Sequence, residues 1–122
     1  MNGFIVQTDQ PPKYGGEGSA PSPYDYFLAS IGACAGIYVL KFCEKRSIPT
    51  GDISLIQRLE YLKTEDDKSL LDKIILEIII PPSFPEKYRT ALIKVADQCA
   101  VKKTIMNPPK FETKTTVKQG AV

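Results

Sequence analysis

Residues 21–36 read PSPYDYFLASIGACAG, a stretch that combines a helix start with the first cysteine of the chain. Ser22 is a good helix N-cap, and Pro23 suits the first helical position because its fixed φ is already helical. Asp25 stands where the return partner of a capping box belongs. The stretch therefore predicts a helix that begins at Pro23.

An apolar run from Tyr26 to Leu40 follows the predicted helix start and contains no charged residue. We expect the helix to end near Arg46, because basic residues suit its negative end and Pro49 prevents continuation. The apolar run is too short to span a bilayer comfortably and lies too far from the N-terminus for a signal peptide. We predict a helix buried on most faces, in a cytoplasmic protein with no membrane partner.

Two strands follow the long helix. Residues 53–63 alternate between apolar and polar positions, residues 70–81 are largely apolar, and residues 64–68 form a hairpin loop between them. The run from Ile74 to Ile80 is apolar on both faces, which a sheet covered on one side does not need. We expect the long helix, loops or a second subunit to cover it.

Weaker patterns mark the remaining elements. A short strand is expected at Phe4–Gln7, and a Pro- and Gly-rich loop follows it. A second helix is expected from Phe84, with Ser83 as its cap, and it should run to Cys99. Residues 111–117 are Thr-rich and predict an edge strand.

Composition excludes several function classes. The 122 residues suit one domain, residues 1–122, and the absence of histidine removes His-dependent triads and His-ligated zinc. The net charge is only +2, and basic and acidic residues are interspersed without a basic stripe. We therefore expect no nucleic-acid partner. Cysteines at 34, 43 and 99 lack metal-ligand spacing, so we expect no metal or cofactor and reduced thiols. Cys34, a free thiol in the small-residue segment of the helix, favours redox chemistry.

The stretch from Pro21 to Cys34, with Cys99 much later in the chain, resembles the OsmC/Ohr superfamily of osmotically inducible and organic-hydroperoxide-resistance proteins. The resemblance covers most of the chain. It implies an α+β, OsmC-like fold in which a long central Cys-bearing helix and a second helix pack on an antiparallel sheet. It also implies an intertwined homodimer. In many members the first cysteine attacks a hydroperoxide and the second resolves it, which would assign these roles to Cys34 and Cys99.

Two positions depart from the peroxidase members of that superfamily. Those members have an acidic residue directly after the helix-starting proline, where this chain has Tyr24, and Asp25 comes one residue later. They also use an arginine from an N-terminal strand, whereas this chain has no arginine before Arg46. Lys13 is the only upstream side-chain cation, and it lacks the planar fork of arginine. The resemblance is therefore to an OsmC-like branch without the full peroxidase set.

Each candidate residue also has an ordinary structural interpretation. A buried cysteine is most often a small apolar core residue, which is our expectation for Cys43 and the alternative for Cys34 and Cys99. Asp25, Lys13 and Tyr24 are auxiliary candidates for the site. Capping explains Asp25 by itself, and a polarising role toward the site is the alternative. Lys13 in the loop is the candidate replacement for the missing arginine, and an ordinary solvated loop residue is the alternative.

We predict a thiol-dependent redox protein that reduces organic hydroperoxides through a Cys34 thiolate, with Cys99 as the resolving thiol and a dithiol as reductant. The alternative is a non-peroxidase OsmC-like dimer that binds a small apolar or thiol-reactive ligand. A sulfur carrier that forms a persulfide is also compatible with the sequence.

Overall fold

The computed structural model describes residues 1–120 as an α+β fold built on one long helix. Three helices and one antiparallel hairpin are separated by loops, with 3₁₀ turns at Pro12–Tyr14 and Glu86–Tyr88. In chain order the elements are α1 (Pro23–Lys45), β1 (Ser54–Lys63), β2 (Ser69–Ile79), α2 (Arg89–Ala96) and α3 (Ala100–Met106).

The start of α1 confirms the predicted capping box. The backbone N–H of Asp25 donates to Ser22 Oγ at 3.1 Å, and the backbone N–H of Ser22 donates to Asp25 Oδ2 at 3.0 Å. Pro23 occupies the first turn. Two of the N–H groups that a helix start leaves unpaired are thus satisfied by local side chains. The helix runs to Lys45 with Arg46 as its C-cap, as the sequence predicts.

The hairpin places β1 against β2 in antiparallel register, from Ser54 opposite Ile79 to Lys63 opposite Ser69. A register irregularity lies between Glu60 and Tyr61. Exposure alternates along the first half of β1, which confirms the predicted two-faced strand. These two strands form the whole sheet within residues 1–120.

Gln57 makes a polar contact between the hairpin and α1. Its Nε2 donates to the Leu28 carbonyl at 3.0 Å, while its buried Oε1 has no hydrogen-bond partner among the described residues. A Cβ at Gly32 would lie 3.0 Å from that oxygen. Glycine at position 32 therefore lets the Gln57 amide approach the helix closely.

The core lies where α1 meets α2 and the loops beside them. One cluster contains nine buried residues: Ala35, Val39, Phe42, Cys43, Ile48, Phe84, Leu92, Ala96 and Cys99. Inward side chains of both strands, among them Leu55 and Leu76, pack against this cluster. Of the two later helices, α2 makes the main contact with α1 and α3 a smaller one, so the second helix packs first on the long helix rather than directly on the sheet.

The two predicted terminal strands are wrong. Phe4–Gln7 and residues 111–117 are irregular and exposed, and neither joins a sheet in the described chain. A strand needs a neighbour to hydrogen-bond its backbone, and the hairpin strands pair only with each other. The Gln7 carbonyl instead accepts a hydrogen bond from the Tyr26 hydroxyl at 2.5 Å.

The predicted second helix differs at both ends. Phe84 is buried, and its backbone N–H donates to the Pro81 carbonyl in a turn. Ser83 is therefore not a helix cap, and a 3₁₀ turn follows Pro85. The helix then ends at Ala96, and Cys99 begins a separate helix. Helical periodicity in the sequence continues across this break because both helices present apolar residues to α1.

Candidate thiol site

Cys34 lies near the middle of α1 and is half-buried. Its side chain packs against the edge of the core cluster that contains Cys99. One turn earlier on the same helix, Ile31 is buried. The Cys34 thiol therefore sits at the boundary between the core and the surface.

Cys99 is fully buried, at 0% exposure, and is the N-cap of α3. Its Sγ accepts a hydrogen bond from the backbone N–H of Lys102 at 3.3 Å. A sulfur therefore occupies the position that a serine or aspartate oxygen usually fills. Because cysteine is an uncommon N-cap, no local pattern marked this helix start.

Folding brings Cys34 and Cys99 together, although they are far apart in sequence. Burial raises the pKa of the Cys99 thiol, and the N–H of Lys102 acts in the opposite direction. The neighbouring Cys34 thiol raises the Cys99 pKa further. The packing agrees with this, because Cys34 lies against the core cluster that contains Cys99.

A salt bridge spans the turn that carries Cys99. The Lys102 ammonium pairs with the Asp97 carboxylate, and these residues flank Cys99 on either side. The positive charge of Lys102 also lowers the Cys99 pKa. The sequence prediction did not include Lys102, although the sequence shows a cation three residues after Cys99.

Cys43 belongs to the core, as expected. It is 0% exposed, and burial raises the pKa of its thiol, with a smaller opposite effect from Arg46. Arg46 itself lies over the Phe42 ring at 3.7 Å, and its Nη1 donates to the Phe42 carbonyl at 3.2 Å. Its guanidinium is therefore engaged at the C-terminal end of α1.

The other sequence candidates lie at or before the start of α1. Asp25 is held in the capping box, and Tyr24 is half-exposed with its ring 5.7 Å from that of Phe27. Lys13 lies over the neighbouring Tyr14 ring, in a loop whose backbone and Ser19 hydroxyl donate to Asp9. Functional roles for Asp25, Tyr24 and Lys13 stay predictions.

Two open clefts flank α3. The larger, about 360 Å³, is lined by one residue of α1, five of β2 and four in or just before α3: Ile31, Leu71, Asp72, Lys73, Ile74, Leu76, Asp97, Lys102, Ile105 and Met106. The second, about 320 Å³, lies between Phe27 and the outer side of α3. Neither cleft is lined by Cys34 or Cys99. An apolar molecule in the larger cleft would contact Ile31, one helical turn from Cys34.

Comparison with known proteins finds a matching family model. The family model described as OsmC-like protein matches residues 16–114 of the chain. The chain belongs to the OsmC-like family. That match includes both Cys34 and Cys99. No curated protein matches the chain.

Two solved structures share the OsmC-like fold with this chain. One, from Psychrobacter arcticus 273-4 and named for an osmotic stress induced and detoxification response, has a TM-score of 0.64 at 20% identity. The alignment covers 80% of this chain and 69% of that protein. The other, an organic hydroperoxide resistance protein OsmC from Legionella pneumophila, has a TM-score of 0.59 at 22% identity, over 86% and 77% of the two chains. At these identities the likeness concerns the fold.

The helix α1 is the core helix of this OsmC-like chain. By length and apolar composition it would also suffice to cross a membrane, with a mean hydropathy of 1.6 over its most apolar window. The sequence prediction, based on the shorter run from Tyr26 to Leu40, missed this. In the fold, however, α1 packs against β1, α2 and α3, and its buried residues contribute to the core cluster.

Proposed function

We propose that this OsmC-like protein reduces organic hydroperoxides with Cys34 as the nucleophile and Cys99 as the resolving thiol. The observation that carries the proposal is that Cys34, which is half-buried, packs against the core cluster that contains the fully buried Cys99. A half-buried thiol is accessible to an oxidant, and a buried neighbour is positioned to close a disulfide. Family membership and the fold shared with an organic hydroperoxide resistance protein add support.

The proposed reaction has three steps. The Cys34 thiolate attacks a peroxide oxygen, the O–O bond breaks, and an alcohol leaves after taking up a proton. The Cys99 sulfur then attacks the Cys34 sulfenic acid, which expels water and forms a disulfide. A small dithiol returns both cysteines to thiols and is itself oxidised. Because the chain has no histidine, an imidazole base takes no part.

We expect cumene hydroperoxide to be consumed faster than hydrogen peroxide, by on the order of tenfold or more. Six of the ten residues that line the larger cleft are apolar, among them Ile31, one helical turn from Cys34. Each CH₂ group buried there contributes about 0.8 kcal/mol, and about 1.4 kcal/mol corresponds to a factor of ten in rate. Ferrous-xylenol-orange measurements with a dithiol, corrected for dithiol and peroxide without protein, test this. Equal turnover of the two oxidants would contradict the proposed apolar substrate class.

We further propose that the protein acts as a homodimer. Large apolar side chains stay exposed on α1 and on the hairpin: Tyr24, Tyr26, Phe27, Ile37, Leu40, Ile56, Tyr61, Leu62, Leu70 and Ile79. So much exposed apolar surface is typical of an interface rather than of a monomer. We expect a mass of twice the chain by light scattering at micromolar concentration, with an interface above about 2,000 Å². A monomer under these conditions would refute the proposed dimer.

A second function is supported by the charged groups. Arg46 is engaged with Phe42 and Tyr88 at the end of α1, and Asp25 is engaged in capping. The sequence lacks the acid and the arginine at the positions that the peroxidase resemblance implies, and Asp25 and Arg46 are engaged in other contacts. These two observations favour a non-peroxidase dimer that binds a small apolar or thiol-reactive ligand. Binding of cumyl alcohol without any peroxide consumption would favour this alternative. For either function we place the protein in the cytoplasm, where thiols stay reduced.

A further inference from the structure

We propose that Cys99 is the leaving thiolate when a small dithiol reduces a Cys34–Cys99 disulfide, and that Lys102 is its charge partner. The inference rests on the proposed thiol function and adds the direction of the reduction step to it. It is carried by the difference in exposure between the two cysteines and by the contacts of Lys102.

Access decides which sulfur is attacked. Cys99 is 0% exposed and lies within the core cluster, whereas Cys34 is half-buried. A thiolate has to approach the disulfide from outside, along the line that joins the two sulfur atoms. The side of Cys99 away from Cys34 is occupied by the cluster and by the start of α3. The approach is therefore open at Cys34, and Cys99 is the sulfur that leaves.

Lys102 contacts the leaving sulfur through its backbone and carries a positive charge on the same turn. Its backbone N–H already donates to Cys99 Sγ at 3.3 Å, and a hydrogen bond to a sulfur strengthens when that sulfur becomes an anion. Its ammonium group pairs with the Asp97 carboxylate across the turn that carries Cys99. A leaving thiolate that is stabilised in place departs faster.

The step balances without any further reactant. One sulfur of the dithiol, as thiolate, forms a bond to Cys34 Sγ, and the Cys34–Cys99 bond breaks with its electron pair on Cys99. Cys99 then takes a proton from water. The second sulfur of the dithiol attacks the first, which closes an oxidised cyclic disulfide and releases Cys34 as thiolate. The protein disulfide gains two electrons and the dithiol loses two.

The direction of attack is tested on the wild-type chain. The disulfide is formed with diamide, so no peroxide is needed, and glutathione then serves as a monothiol probe. Acid quenching at short times, alkylation of freed thiols and peptide mass analysis identify the first products. We expect glutathione on Cys34 and the alkyl label on Cys99. Glutathione mainly on Cys99, or equally on both, would overturn the proposal.

The role of Lys102 is tested with three variants. Lys102→Met should slow glutathione attack on the diamide-formed disulfide by roughly two- to fivefold, because the leaving sulfur loses a nearby positive charge. Lys102→Arg keeps the charge and should restore most of the rate. Lys103→Met removes a charge from the same helix at an exposed position and should leave the rate unchanged. An equal loss in Lys103→Met, or none in Lys102→Met, would refute the role of Lys102.

The outcome is separable from that of the proposed peroxidase. If the expected products appear while cumene hydroperoxide is not consumed, the peroxidase fails and the reduction step stands. If diamide forms no Cys34–Cys99 disulfide, the reduction step fails whatever the peroxide assay gives.

Discussion

Replacing Cys34 by serine is expected to reduce hydroperoxide consumption by on the order of a thousandfold, to the rate of the dithiol alone. A serine hydroxyl is not a nucleophile at neutral pH without a base, and the chain has no histidine to act as one. The matched control is Cys43→Ala, because Cys43 is a core thiol that shares the helix and is 0% exposed. Peroxide consumption by both variants is measured with cumene hydroperoxide at equal folded concentration.

Cys99→Ser completes this comparison. It keeps the proposed nucleophile, so Cys34 should still be oxidised, and the sulfenic acid should accumulate and react with dimedone. Activity above about a tenth of wild type in Cys34→Ser, or loss of activity in a folded Cys43→Ala, would contradict the assignment of Cys34.

Replacing Phe42 by alanine is expected to destabilise the fold by about 3–5 kcal/mol. The Phe42 side chain is buried in the core cluster, its ring meets the Tyr88 ring edge-on at 5.8 Å, and the Arg46 guanidinium lies 3.7 Å from its centre. Truncation therefore removes apolar burial together with the contacts that Tyr88 and Arg46 make to the Phe42 ring. A loss of this size is a large part of the 5–15 kcal/mol typical of a whole domain.

The matched control for Phe42 is Phe111→Ala. Phe111 is 90% exposed, so its truncation should change the free energy of unfolding by less than about 0.5 kcal/mol. Urea unfolding at one fixed protein concentration compares the variants, because association of subunits would make stability depend on concentration. A loss below about 1 kcal/mol in Phe42→Ala would mean that this cluster does not hold α1 to α2.

Local chemistry was enough to specify the start of α1 and the hairpin. The capping box of Ser22 and Asp25 and the proline at position 23 fixed where α1 begins, since all these contacts lie within one turn. The hairpin was specified by the alternation in β1, the apolar run of β2 and the turn residues between them, because its two strands are adjacent in the chain. The stretch from Pro21 to Cys34, together with Cys99, carried the resemblance to the OsmC-like family, and the family match confirms it.

The terminal segments, the break before Cys99 and the meeting of the two thiols depended on tertiary contacts. The expected strands at Phe4–Gln7 and residues 111–117 did not form, because a strand obtains its hydrogen bonds from a distant segment and local propensity cannot supply one. The break before Cys99 was also hidden, because apolar periodicity continues from α2 into α3. Only the packing of α3 on α1 brings Cys99 beside Cys34 and places the Lys102 N–H on its sulfur. Sequence patterns named the two thiols, but their proximity depends on contacts between residues far apart in the chain.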